Sequence, residues 1–448
     1  MGRALLFLVS GMFIVFGIVQ SGVQGRLSSI PERTYDYHAE NHAENIVNSA
    51  MDYALREIIN DQNWEDGYVN NDYMDGSVSI QVYDQSSSDI PSNEIPSWDQ
   101  YTLLVKGTSE YEDVVAQSEI YLRKDAFSKY SYFTDSEIST NNSSVYFIWS
   151  DELSGPVHTN GTFNIAGDPT FNGFVSSPND WNGYSGMTND PNFNGGTDFN
   201  ADYRDPPSNL EMNVLENSAS SNGLTFNEEV DLEFLNDGRL KVSKQVQDGW
   251  TRNWRGNWVP RYRTVENYVN MTGYNGVISS TEDISIKGTV NGSYTVHSEK
   301  NIEISGDIVY NDNPIDNPNS TDLLGIVSEK NVTISEDAHR DNGYSDLTIQ
   351  ASIMALDESF SLDNYNDGSP KGDLNLLGGI IQQKRGPMGT FSGGQVRSGF
   401  NKQYEYDERL MRMNPPSFPR ESFFSIVHWF TESFDRDYVL NQNLNEED

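Results

Sequence analysis

The chain has 448 residues, 67 of them acidic and 29 basic, giving a formal net charge of −38, and it has no cysteine. That length suits two or three domains with a sizeable core. The missing thiols exclude disulfides and thiolate chemistry, and so negative a field excludes a nucleic-acid partner.

From the N-terminus, the first element is the uncharged apolar run Ala4–Val19, flanked by Arg3 and Arg26. Extended to Val23 as a helix, it spans roughly 24–30 Å, enough for a thin or tilted bilayer crossing. Residues 1–25 are therefore expected to form a membrane segment, with the Arg3 end inside. Three fates fit it: an uncleaved anchor, removal of a short leader after Gly2, or an ordinary signal peptide cut after Gly25. The second makes Gly2 and Arg3 the processing candidates.

Beyond Pro31 the apolar residues Ala39, Ala43, Ile46, Val47, Ala50, Met51, Ala54, Leu55 and Ile58 recur at helical spacing. Asn60–Asp75 is rich in Asp, Asn and Gly and reads as turns. Ser77–Tyr83 alternates as a strand, and Gln100–Gly107 with Val114–Leu122 reads as a hairpin. A long helix packed on a small antiparallel sheet is the expected arrangement over 26–125, since two or three strands alone are marginal.

The leader, the apolar run and Ala39-Glu40, Ala43-Glu44-Asn45 and Ala50 leading into Ala54-Leu55 resemble pilin-like proteins. The likeness is to the large minor pilins of type IV pili and the tip pseudopilins of type II secretion. It implies a prepilin-type peptidase acting after Gly2 and partners in the inner membrane and among other pilin-like subunits. Major pilins carry a glutamate soon after the cleavage site, whereas Phe7 stands there in this chain. The resemblance thus implies a minor or tip component.

Past residue 150 the chain repeats itself. Val157–Asp168 can be laid over Val296–Asp307, and Ile278–Gly288 and Ile326–Ser335 follow the same template. Each has an apolar residue, a polar turn, an apolar-x-apolar pair and usually a glycine. Residues 284 to 302 are 18 apart, a spacing that suits coils of a right-handed β-solenoid stacked about 4.8 Å apart. Ile284/Ile286, Ile302/Ile304 and Val332/Ile334 then face inward, while Ser285, Glu303 and Thr333 face out. Leu347–Ala355 and Leu374–Gln382 supply further coils. The alternative is a β-sandwich with accidental similarity. The solenoid head is expected over 126–419, with inserted loops at about 172–227 and 310–321. This stretch also resembles an uncharacterised β-solenoid domain found behind pilin-like N-termini, through Gly155–Gly161, Asp168–Gly173, Leu323–Val327, Tyr406–Leu410 and Pro415–Pro419. The fold class is mainly β behind an N-terminal helix. In 420–448, Phe423, Ile426, Val427, Phe430 and Phe434 predict an amphipathic helix that caps the solenoid or docks a partner. An acidic tail follows Asn441.

Chemistry is sparse. Asp283 and Asp307 are candidate glycosidase-type carboxylates, but Asn301 and Asn331 at equivalent positions to Asp283 favour a ladder of Asx turns. His158 and His297 share a repeat position and could bind metal as a pair, but they are distant in sequence, and Ser279 and Val327 fill that position in the other coils. Asp61–Gly67 and Asp363–Gly368 lack the full calcium-loop pattern. Neither a metal nor a cofactor is implied. The one basic, aromatic island is Trp250–Arg263. Trp254, Trp258 and Tyr262 could stack on a sugar, with Arg255 and Arg261 as donors, or belong to a hairpin packed on the solenoid. The leading reading is a non-enzymatic, membrane-anchored envelope protein with its head in the periplasm or at the cell surface. It would serve as a minor or tip subunit of a pilus-like or secretion filament. A surface adhesin binding glycan is the second reading, and a solenoid carbohydrate enzyme the third.

Overall fold

The computed structural model describes residues 2–87, 99–340, 343, 346–392 and 395–435; side chains are described from residue 12 onward, without 14, 22–33, 391, 392 and 435. The chain is mainly β and divides into two compact units, Met1–Lys124 with Phe423–Asp448, and Asp125–Ser422.

The first unit is built on the helix α1 (Gly2–Asn60), about 90 Å long at 1.5 Å per residue. Its second half buries Ala39, Ala43, Ile46, Val47, Ala50, Met51, Ala54 and Ile58, the face its spacing marks as apolar. That face covers an antiparallel sheet of β1 (Tyr68–Tyr73), β2 (Gly76–Tyr83), β3 (Thr102–Tyr111), β4 (Val114–Arg123) and the C-terminal strand Ser425–Asp435, in that order. Val78, Ile80, Leu103, Val105, Ala116, Ile120 and Leu122 supply the other half of the core. Gly107 is required by closeness: a Cβ there would meet Met51 Sδ at 2.7 Å and Val47 Cγ2 at 2.8 Å. Ser109 Oγ donates to the Ala43 carbonyl at 2.7 Å and pins helix to sheet.

At its other end α1 exposes Met12, Phe13, Val15, Phe16, Ile18 and Val19. The membrane segment expected at Ala4–Val19 otherwise falls on side chains outside the described residues. Among the described residues no helix is long and apolar enough to cross a membrane.

Two local expectations are corrected here. Residues 68–73, expected as turns, form the exposed edge strand β1, joined to β2 by a tight turn with Met74 and Asp75 both at positive φ. Residues 425–435, expected as a helix, form a strand antiparallel to β4. The segment is rich in β-branched and aromatic residues, which favour a pleated edge. A register shift between Ile426 and His428 breaks its alternation and leaves apolar residues at a spacing that imitates a helix. Thr431 Oγ1 donates to Asn48 Oδ1 at 2.7 Å and Ser433 Oγ to Glu44 Oε1 at 2.8 Å, so the strand is tied to α1 as well. The acidic tail lies outside the described residues.

The second unit consists largely of short strands in parallel register. One row runs Val230, Ile284, Ile302, Val332, Phe360 on adjacent strands, and the next inward row runs Leu232, Ile286, Ile304, Ile334, Leu362. All ten residues are buried, so the apolar-x-apolar pairs face the core. A second ladder runs Leu224, Ile278, Val296, Ile326, Ile353, Ile380, Tyr132, Val157, Val175. The early segment 132–176 thus stacks beyond residue 380, not before residue 224. The stretch expected as one loop, 172–227, is more ordered than that. Val175–Ser176 pairs with Thr197–Asp198 in the ladder. A helix, α2 (Asn209–Asn222), then begins at a capping box between Ser208 and Glu211 and buries Met212, Leu215 and Ala219. The loop after Tyr310 holds Asp312 and Asp322, whose carboxylates accept from nearby backbone and side-chain N–H groups.

Candidate functional site

The aromatic island forms the end of a long antiparallel hairpin, Arg239–Arg252 with Trp258–Asn270. Its base, Leu240 and Val242, is buried. From residue 245 to 264 both strands are almost wholly solvent-exposed, so the arm stands clear of the core. The turn at Asn253–Asn257 closes through Asn253 Oδ1, which accepts from the Arg255 and Asn257 amides, and through Gly256 at φ +82°.

The five predicted site residues are only partly brought together. Trp258 and Tyr262 share a face of the arm at 62% and 56% exposure. Trp250, opposite Pro260, joins that face; it was not among the predicted site residues, because its face depends on the register of the two strands, which shifts between Gln247 and Trp250. Trp254 lies at the tip, 86% exposed, with the Arg255 guanidinium 4.5 Å from its ring centre. Arg261 has the opposite parity and is occupied by Asp248, donating to its carbonyl at 2.8 Å and its carboxylate at 3.1 Å. Packing does not account for rings this exposed.

A groove of about 1050 Å³ runs beneath the base of the arm. Its floor is the outward row Asp231, Ser285, Glu303, Thr333, in register on adjacent parallel strands. Lys244, Gln245 and Tyr262 line it from the arm side. Burial, and then the Glu303 carboxylate, push the Asp231 carboxyl above its usual range, against the opposing pull of Lys287. The wall beside the floor is the turn ladder. Asp283 Oδ1 accepts from the Asn301 amide at 2.9 Å, Asn301 Oδ1 from the Asn331 amide at 3.3 Å, and Asn331 Oδ1 from the Ser359 amide at 3.0 Å. Asp283 is thereby held by backbone, as is Asp307, whose Oδ1 accepts from the Thr348 amide at 2.9 Å.

His158 and His297 do occupy one ladder, but Val327, Met354, Ile381 and Phe133 separate them. Five rungs of about 4.8 Å place them too far apart to share a ligand. Asp61 and Asp367 cap local turns, accepting from the Asn63 and Gly368 amides. The side chains of Gly2 and Arg3 lie outside the described residues.

If Trp254 and Trp258 bind glycan, replacing both with alanine is expected to abolish binding on a carbohydrate array. The melting temperature should hardly move, because exposed side chains contribute within about 0.5 kcal/mol. A large loss of stability, with no array signal from the parent, would instead assign the rings to packing.

A family model described as a domain of unknown function (DUF4900) matches residues 100–179, under half of the chain. No curated protein matches the chain. Among solved structures, the competence-associated pilin ComZ from Thermus thermophilus is similar over 88% of this chain and 98% of that chain, with 9% identity and a TM-score of 0.28. So loose a superposition carries no argument about function.

Proposed function

We propose that this chain is a non-enzymatic, membrane-anchored subunit of a type IV pilus-like or secretion filament, present in low copy or at the tip. The observation that carries this reading is the divided character of α1. One continuous helix buries a stripe of small and apolar residues, Ala39 to Ile58, on its own sheet. The same helix leaves Met12, Phe13, Val15, Phe16, Ile18 and Val19 uncovered in a run, Ala4–Val19, that has no charge. Such a stalk needs lipid or neighbouring stalks to remove it from water. Phe7, in place of an acidic residue near a cut after Gly2, favours a minor subunit. The parallel ladders of 125–422 are read as coils of a right-handed β-solenoid, the hand that parallel crossovers adopt. A head of that bulk favours a filament end over a closely packed shaft.

Immunogold labelling of sheared filaments should therefore mark ends or sparse sites. Deletion of Ala4–Val19 should release a soluble, folded head. Uniform labelling along the shaft would refute the minor-subunit reading, and a mature N-terminus at Arg26 would remove the pilin reading. The second reading, a glycan-binding adhesin, is favoured by one observation, the uncovered rings of the hairpin arm.

A further inference from the structure

The hairpin arm carries a charge pattern of its own. Residues 245–264 hold four arginines, Arg252, Arg255, Arg261 and Arg263, and one acidic residue, Asp248, in a chain with 67 acidic and 29 basic residues. Arg261 is paired with Asp248. Acids outnumber bases so heavily that the other three would meet carboxylates readily, yet among the described residues none of them forms an ion pair. Two rest on rings instead. Arg252 lies 5.0 Å from the Trp258 ring centre and Arg255 4.5 Å from that of Trp254.

Strand register decides which of these groups share a surface. Arg252 is directly opposite Trp258, Trp250 opposite Pro260, and Gln247 opposite Tyr262. Cross-strand partners point to the same side of an antiparallel pair, as do residues two apart on one strand. One face therefore bears Trp258, Trp250 and Tyr262 in steps of roughly 6.7 Å. Arg252 lies at the tip end of this row, and the Gln247 amide lies beside Tyr262. Arg261 and Arg263 have the other parity and face away. The row is open along its length, which suits a chain and not a single small molecule.

A pyranose presents C–H bonds on its faces, and these meet the negative face of an aromatic ring. Arg252 adds a group that a neutral sugar does not call for, a planar fork that matches a carboxylate with two parallel N–H bonds. Three rings to one cation fit a glycan whose acidic sugars are separated by neutral ones. A nucleic-acid strand carries a charge on every residue and draws its affinity from the neutralisation of several, which one guanidinium on the face does not supply. The negative charge of the rest of the chain does not forbid an anion here. Arg252 is seven residues beyond Gln245, roughly 23 Å along the exposed arm. Charge is screened over about 8 Å at physiological salt. The groove at the base of the arm, with Asp231 and Glu303 on its floor, does repel an anion, so the path ends at Tyr262.

We infer that the arm binds an acidic polysaccharide in which uronates are separated by neutral sugars, stacked along Trp258, Trp250 and Tyr262 with a carboxylate on Arg252. This rests on the reading of the arm as a glycan binder and adds the charge of the glycan and the residue that reads it.

The test is isothermal titration of the full-length chain in a phosphocholine detergent at pH 7 and 0.15 M NaCl. The probes are oligosaccharides of hyaluronan, unsulfated chondroitin and gellan, each also with its carboxyls reduced to alcohols, and oligothymidylate. At least one acidic form should bind about tenfold or more tightly than its reduced form. Arg252→Gln should erase that difference. Arg263→Gln removes the same charge from the other face and should preserve it. Both side chains are exposed, so neither change should disturb the fold. If acidic and reduced forms bind the parent equally, or if the two arginine variants lose the difference alike, the inference falls and the glycan reading stands. If no oligosaccharide of either form binds, or if oligothymidylate binds more tightly than all of them, both fall.

Discussion

Ile302→Asp should destabilise the 125–422 unit by roughly 4 kcal/mol, and Glu303→Ala should leave it nearly unchanged. The two residues are neighbours in sequence and differ only in the face they occupy. Ile302 is buried between Ile284 and Val332 on the adjacent strands. A carboxylate there would have no cation within reach and would either stay buried and unpaired or force the rungs apart. Glu303 points the other way, into the groove. Its charge raises the carboxyls of Asp231 and Asp363, in each case second to burial itself. Removing it relieves repulsion, so a slight gain is the direction expected of any residual effect. Urea unfolding of the two variants beside the parent measures both. Equal tolerance would contradict the assignment of faces, and with it the inward ladder.

That assignment was legible because two signals coincide in the repeat. Each apolar-x-apolar pair fixes a face, and the polar turn before it recurs with it. The buried stripe of α1 was legible for a similar reason, since Ala39 to Ile58 keep helical spacing over five turns. The C-terminal strand was not. A bulge at Val427 offsets its alternation, and what holds it is the open edge of β4, some 300 residues away in sequence. Helix α2 left a faint mark, the Ser208 and Glu211 box, inside a stretch whose Asn, Gly and Asp content reads as loop. The stacking of Tyr132 beyond Ile380 has no local signature at all. The same contrast holds for the sites. Composition singled out the aromatic arm, but exposure and the parity that adds Trp250 come only with the fold.

Acid should weaken the second unit through His158. The imidazole is fully buried, stacked on Phe133 at 5.4 Å between ring centres. Its Nε2 donates to Asn160 Oδ1 at 3.0 Å, the acceptor end of an amide whose Nδ2 is given to Asp135 and to the Arg204 carbonyl. Nδ1 is then left to accept from Ser176 Oγ at 2.8 Å, so the neutral tautomer satisfies both nitrogens. Burial is the first cause that holds the ring neutral. The hydrogen bond to Asn160 opposes it, while the charges of Arg204 and Lys129 add to it, and the net result is a value near 4 in place of 6.5. The folded value lies below the unfolded one, so the unfolded chain binds the extra proton first. Stability is intact above about pH 6.5, falls as the pH drops toward 4, and levels off below that. The loss over this window is about 3 kcal/mol. His339, lowered by burial and then by Lys371 and Arg340, acts in the same direction. Glu137, Asp231 and Asp363, raised chiefly by burial, act in the opposite one. The parent alone therefore does not isolate the histidine, but its difference from His158→Gln does. Urea titrations at pH 7 and pH 4 should show the parent losing about 3 kcal/mol more than the variant. Parallel pH curves for the two proteins would mean that His158 takes up its proton in the fold as readily as in the unfolded chain.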